Sequence, residues 1–476
     1  MKPALGLALF LAGVVAAPAG AAEPDALARE TREHLKALVR LDTSNPPGNE
    51  ILAARYLKAQ LDKEGIPSAI YTSTGARSSL IARLKGSGEK RALILMCHTD
   101  VVPADPKEWA TDPFTPVEKD GYLYGRGTAD IKCMCAAQLA ILIDLKRSGV
   151  KLARDVVFFA EADEESGGRD RHIEWLLEHH GDLLSGEFAI NEGGNTIWEA
   201  GRVREVRVQA AEKEFMDVTL IARGSAGHAS VPRADNVVLA LARAVTALSE
   251  FRAPAEVNDV VRAFLERQRE TADVDLKAAI EAVLAAEPGP GLDKAADRLG
   301  GVLPEFGAIL RDTLTPTILK AGYKSNVIPA EAQAVFNARL MPGRDPAALL
   351  ALIRAAVGPG LEVSAEPPSR KPVFPMPTAT ELYRAAESAA AELAPGARVM
   401  PFMAAWTTDS QDLRARGIIT YGIDPPLAPE DGERVHGKDE RILLSALDWY
   451  AQYLHSIVLK VAAKPARPAK AAHRKS

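Results

Sequence analysis

The chain has little cysteine and little aromatic content: 3 Cys in 476 residues, with Phe, Trp and Tyr together at 5%. An odd count of Cys97, Cys133 and Cys135 excludes a fold built on a disulfide framework, so these residues are expected as small buried side chains. With no second cysteine pair elsewhere, Cys133 and Cys135 do not make a structural zinc knuckle. Excess charge of one sign is also missing. The formal net charge of -5 leaves no electrostatic footprint for nucleic acid. There is no glycine-rich loop ending in Lys-Ser or Lys-Thr to cradle a phosphate, which argues against a phosphoesterase. Long apolar runs are absent except for one. Lys2 is followed by "ALGLALFLAGVVAA" and then "PAGAAEPDA", which is too short for a bilayer anchor and has small residues where a signal peptidase cuts. Residues 1–22 read as a signal peptide cleaved after Ala21 or Ala22, so the mature chain is expected outside the cytoplasm, periplasmic or secreted, with no stable membrane insertion.

The remaining sequence alternates strands and helices. "LILMCHTDVVP" (93–103) is an apolar run that ends on His98 and Asp100. Four successive apolar residues suit a strand covered on both faces of a parallel sheet, and ligand sites in such sheets lie beyond the carboxyl ends of the strands. A lone histidine there is more often a hydrogen-bonded structural residue. However, Asp100 shares its side of the strand and could fix its tautomer, as carboxylates do for metal-bound imidazoles. Acids or histidine follow other predicted strands and loops in the same way: Asp130 in "GRGTAD", Glu164 and Glu165 in "EADEESGG", Glu192 in "NEGG", and His436 in "ERVHGKDE". Each could be a solvated loop charge, but together they converge on one sheet edge. Two histidines and three carboxylates match the needs of two metal ions sharing a bridging carboxylate.

This organisation predicts an α/β fold with a doubly wound, mostly parallel sheet. The period changes to apolar–polar alternation near "VQAAEKEFMDVTLIARG", so residues 212–368 are expected as an inserted domain of strands with helices on one face. Residues 23–211 and 369–460 then form the two parts of the catalytic domain. "AAKPARPAKAAHRKS" ends the chain within a basic tail over 461–476, expected to be disordered.

The ordered strings "HTDVVP", "GRGTADIK", "DEESGG", "NEGG", "GSAGHASVP", "SNVIPAEA", "ARLMPG", "TTDS" and "VHGKDE" resemble the zinc aminoacylase and carboxypeptidase family, which includes carboxypeptidase S, bacterial dipeptidases and succinyl-diaminopimelate desuccinylase. The resemblance runs from about Asp42 to Leu444. It implies two zinc ions, with cobalt or manganese as substitutes: His98, Asp130 and Glu192 on one, and Asp130, Glu165 and His436 on the other. It further implies that Asp100 orients His98, Glu164 is the general base, and the Asp130–Ile131 peptide is cis. His228 would polarise the scissile carbonyl, Asn326 would assist, and Arg339 would hold the substrate carboxylate. The inserted domain would be ferredoxin-like, act as a lid and pair two chains, with each His228 serving its partner's site. One departure stands out, because Thr407 occupies a position before Thr408 and Asp409 where family members commonly have glycine. The expected reaction is hydrolysis of an amide next to a free carboxylate, in a small peptide or an N-acyl amino acid. A non-catalytic binding protein on the same fold would be expected to lose ligands or the base, and none is missing.

Overall fold

The computed structural model describes residues 24–166, 171–367 and 370–465; the expected signal peptide therefore lies outside the described residues. A ten-stranded sheet forms the larger body. Its central strands run in the order Val156–Glu161, Leu93–His98, Phe188–Asn191 and Ile419–Gly422, all mutually parallel. Antiparallel strands flank them, with Ser78–Leu84 on one side and Arg202–Glu212 on the other. Every residue of Leu93–His98 and Val156–Glu161 is buried, as the unbroken apolar runs require when helices cover both faces. One cover is the helix Lys132–Ser148, buried from Lys132 through Leu145 and ended by Gly149 at φ 64°, a left-handed stop that glycine adopts without steric cost.

The second sheet follows the order Thr313–Ala321, Glu331–Leu340, Glu214–Arg223, Leu361–Ala365, antiparallel throughout. With helices Val237–Glu250 and Pro346–Val357 this is the βαββαβ arrangement of a ferredoxin-like unit. Strand Glu331–Leu340 alternates strictly, turning Ala332, Ala334, Phe336, Ala338 and Leu340 to the helices, the period-two pattern of a half-covered sheet. The helices between Asp259 and Ala308 interrupt this unit in sequence and pack elsewhere. Val261, Phe264, Ile280 and Leu299 join the core of the larger body, where Phe264 meets Phe402 edge to face at 5.6 Å between ring centres.

Two expectations are corrected. Cys97 does face away from His98, but that face lies against helix Lys132–Ser148, and Cys97 is disulfide-bonded to Cys135 across a Cα–Cα distance of 5.4 Å. Only Cys133 is a free, buried thiol. Closing a loop of 38 residues restricts the unfolded chain by about 4 kcal/mol in the chain-entropy treatment. The other correction concerns the tail. Val461 and Ala462 end the last helix, fully packed, and Ala463 bridges Leu152, because the apolar face of that helix continues to Ala462; residues 466–476 lie outside the described residues.

Candidate metal centre

The carboxyl ends of the four parallel strands meet at one edge of the large sheet. His98 closes its strand, the loop with Glu164 and Glu165 follows Glu161, Glu192 follows Asn191, and Asp424 follows Gly422. Asp130 reaches the same place from the loop before helix Lys132–Ser148, with a cis Asp130–Ile131 peptide as the resemblance implied. His98 Nε2 lies 3.1 Å from Asp130 Oδ1 and 3.8 Å from Glu192 Oε2. On the other side of Asp130, His436 Nε2 lies 2.9 Å from Oδ2 and 3.3 Å from Glu165 Oε1. Asp130 thus turns one carboxylate oxygen to each imidazole, as a bridging ligand would.

The electrostatics match a site for cations. Burial alone would lower His98, but the charge of Glu192 and hydrogen bonds to Asp100, Asp130 and Glu192 hold it well above the ordinary imidazole range. Hydrogen bonds to Asp130 and Glu165 lift His436 to about 10. Burial pushes Glu164 well up, reinforced by the neighbouring Glu192 and Glu165. Among the described residues, ligand atoms of His98, Glu164 and Glu192 lie within 4.8 Å of one another, as do those of His98, Asp130 and Glu165. Glu165 Oε1 is buried and has only His436 Nε2, at 3.3 Å, beside it. Carboxylates gathered this closely are costly unless a cation joins them, so the residues present fit metal ions. Glu164 stands close enough to His98 and Glu192 to be counted with the ligands, a proximity that the sequence does not reveal.

Asp100 does more than orient an imidazole. His98 Nδ1 is 3.0 Å from the Asp100 backbone carbonyl and 3.6 Å from its carboxylate. The carboxylate itself accepts from the backbone N–H groups of Glu164 and Glu165, at 3.2 and 3.0 Å, and from Asn45 Nδ2 at 2.9 Å. It therefore ties the strand carrying His98 to the loop carrying two more site acids. Asn45 lies in "TSNPPGNE", legible in sequence only as a loop; Asp424, which accepts from Gly193 N–H at 3.2 Å, had no signal beyond following a strand.

The remaining expected residues lie in the second sheet's domain. His228 is exposed in a two-residue strand paired with Val327–Ile328, its Nδ1 2.7 Å from Ser230 Oγ. The Asn326 carbonyl accepts from Ala229 N–H at 3.1 Å, so His228 and Asn326 are neighbours. Among the described residues no hydrogen bond or ion pair joins either to the metal cluster. Arg339 is half-buried with its guanidinium 4.8 Å from the centre of the Phe215 ring, and it donates to Asn337 Oδ1 at 2.9 Å and Thr407 Oγ1 at 3.1 Å. The next residue, Thr408, packs beside Gly193, where a Cβ would lie 3.3 Å from the Thr408 methyl and 2.4 Å from Gln209. Gly193, at φ +103°, adjoins Glu192. Thr407 thus links Arg339 to the loop beside the metal cluster.

The sequence profile described as Peptidase family M20/M25/M40 matches residues 94–460. The chain belongs to that family. This M20 chain is 28% identical over 375 residues to the N-fatty-acyl-amino acid synthase/hydrolase PM20D1 of Xenopus tropicalis, covering 77% of this chain and 71% of that protein. It is 26% identical over 393 residues to a probable carboxypeptidase S-like 2 of Dictyostelium discoideum, covering 80% and 74%. The crystal structure of the M20 family metallo-carboxypeptidase Sso-CP2 from Sulfolobus solfataricus superposes with a TM-score of 0.69 at 20% identity, over 91% of this chain and 99% of that one. The fold and the metallohydrolase class of this M20 chain follow from these matches. No helix among the described residues is long and apolar enough to cross a membrane.

Proposed function

We propose that this chain is a two-zinc hydrolase of the carboxypeptidase and dipeptidase type, cleaving the amide bond next to an amino acid with a free carboxylate. The observation that carries the reading is the pair of donor sets on either side of Asp130, with Arg339 linked through Thr407 to the loop beside Glu192. His98, Asp130 and Glu192 would hold one ion, and Asp130, Glu165 and His436 the other. When bound, two such ions lower the pKa of water and polarise a carbonyl. Glu164 takes the proton of the attacking water and returns it to the leaving amine, the role of a carboxylate held beside the reacting atoms. Arg339 is a planar fork for the substrate carboxylate, and Thr407 Oγ1, which accepts from Arg339 Nη1 at 3.1 Å, fixes one arm of that fork. His228 and Asn326 supply donors for the developing oxyanion.

Among the described residues no hydrogen bond or ion pair joins His228 to its own chain's cluster, which supports a homodimer in which it serves the partner. The exposed edge strand Thr313–Ala321, with Ile318 and Leu319 turned to solvent, offers a surface for pairing two inserted domains. The first 22 residues support export to the periplasm or beyond, tested by the amino-terminal sequence of the mature protein. A second reading, hydrolysis of N-acyl amino acids, is favoured by the similarity to a fatty-acyl-amino acid hydrolase. Assaying the zinc-loaded protein against a panel of dipeptides and N-acyl amino acids decides between the two. Turnover of only the acyl substrates replaces the first reading with the second, and no turnover of either class overturns both.

A further inference from the structure

The proposed ligand His436 differs from the others in how it is held. His98 ends a buried strand and Glu192 follows one, whereas His436 sits in an irregular loop at φ 61° with its side chain 55% exposed. A ligand on such a loop needs an anchor, and the structure provides one in two fully packed side chains, Arg126 and Glu440. Glu440 Oε1 accepts from the backbone N–H of Ala129 at 2.7 Å and of Asp130 at 3.1 Å. Its Oε2 accepts from Gly127 N–H at 3.1 Å and from Arg126 Nη1 at 2.7 Å. Arg126 Nη2 in turn donates to the carbonyl of Gly437 at 2.8 Å and reaches that of His436 at 3.4 Å, while its guanidinium lies 5.2 Å from the centre of the Trp109 ring. One carboxylate therefore clasps the loop carrying Asp130, and through one guanidinium the same unit grips the backbone at His436.

We infer that Arg126 and Glu440 are positioning residues that set the distance between Asp130 and His436 and so build the second metal site. The inference rests on the proposed assignment of Asp130, Glu165 and His436 to one ion. The chemistry favours this pair for the task. Charge-assisted bonds to a buried carboxylate are short and strong, and the planar guanidinium spans two acceptors at fixed geometry. The first site depends on them less, because His98 and Glu192 are placed by the parallel sheet.

The test is stepwise binding of Co²⁺ to the metal-free full chain, followed by calorimetry and by the visible absorption of the bound ion, in the wild type, Glu440→Gln and Arg126→Lys. Glutamine keeps the volume but turns an N–H₂ towards the donors of Gly127 or Arg126. Lysine leaves Glu440 and its backbone partners in place but cannot span Gly437 and Glu440 together. Loss of a hydrogen-bonded support behind a ligand typically weakens metal binding about 10- to 100-fold. The expected result is such a loss for the second equivalent alone, with the first within about 3-fold and the spectrum of the second ion altered in both variants. Should Glu440→Gln fail to fold, Arg126→Lys decides alone. Unchanged affinities for both equivalents, or equal weakening of both accompanied by a lower melting temperature, overturns the positioning role. A wild type that binds fewer than two ions overturns the two-metal reading itself and the inference with it.

Discussion

Replacing Glu164 by glutamine separates two roles that its position permits. The side chain lies with His98 and Glu192 in a group whose ligand atoms are within 4.8 Å of one another, so by distance alone it could be a metal ligand or a proton acceptor. The backbone N–H of Glu164 donates to Asp100 Oδ1 at 3.2 Å, and this bond does not involve the side chain, so the loop keeps its place in the variant. Glutamine retains the shape and one oxygen but cannot take a proton. A positioned general base contributes about 10²- to 10⁴-fold to turnover, which corresponds to about 2.7–5.4 kcal/mol of barrier. The expected outcome is therefore a loss of turnover in that range, a metal content that stays near two per chain, and a KM that moves far less than kcat. Elemental analysis of the purified variant and steady-state rates with and without added Zn²⁺ measure all three. Wild-type turnover removes Glu164 from the mechanism. A drop in metal content together with recovery of turnover in excess Zn²⁺ makes it a ligand instead.

Glu165→Ala and His436→Ala each remove a donor from the same proposed ion, so each is expected to lose one metal per chain; unchanged stoichiometry in both contradicts that assignment. Glu50 is fully buried, neither of its carboxylate oxygens is hydrogen-bonded, and burial, then the charge of Asp100, raises it from 4.5 to about 8. The folded chain then holds a proton that the unfolded chain has released between those values, so stability falls as pH rises through this window, by at most about 1.4 kcal/mol per pH unit from this group. Glu50→Gln, neutral at every pH, should flatten the pH dependence of urea unfolding between about pH 6 and 8, and a slope identical to the wild type refutes the account. If His228 serves the partner's site, homodimers of His228→Ala and of Glu164→Gln are each nearly inactive while their mixture regains activity from one complete site. Confirmed subunit exchange with no recovered activity rules out the role in trans.

The parts of this protein that were legible in the sequence are those governed by local periodicity. The apolar run before His98 marked a strand buried on both faces, and the alternation in "EAQAVFNARL" marked a sheet with one covered face. Because parallel strands share a direction, knowing that acids follow several such runs was enough to gather them at one edge. Pairings between distant segments were not legible. Cys97 and Cys135 are 38 residues apart, and an odd cysteine count argued only against a disulfide framework, whereas the fold lays helix Lys132–Ser148 on the face of the strand opposite His98 and brings the two sulfurs together. The helices from Asp259 to Ala308 fall within the span read as the inserted domain, and nothing in their sequence marked that they join the core of the larger body instead.

The same distinction explains why the proposed ligands could be singled out from sequence while the groups that hold them in place could not. A ligand must be one of a few residue types at the mouth of a strand or loop, so it leaves a local signature. A support is defined by what it accepts from, and the donors to Asp100 come from Asn45, Glu164 and Glu165, separated by as many as 120 positions along the chain. Glu440 shows the point most clearly. It lies four residues after His436 in a string of charges that reads as a solvated loop, but it is fully buried, and three of its four donors are backbone N–H groups, which every non-proline residue carries and no sequence pattern marks. Burying a carboxylate is costly unless such donors surround it. A buried acid beside a ligand loop is thus itself a sign that the loop's position matters to what the loop holds.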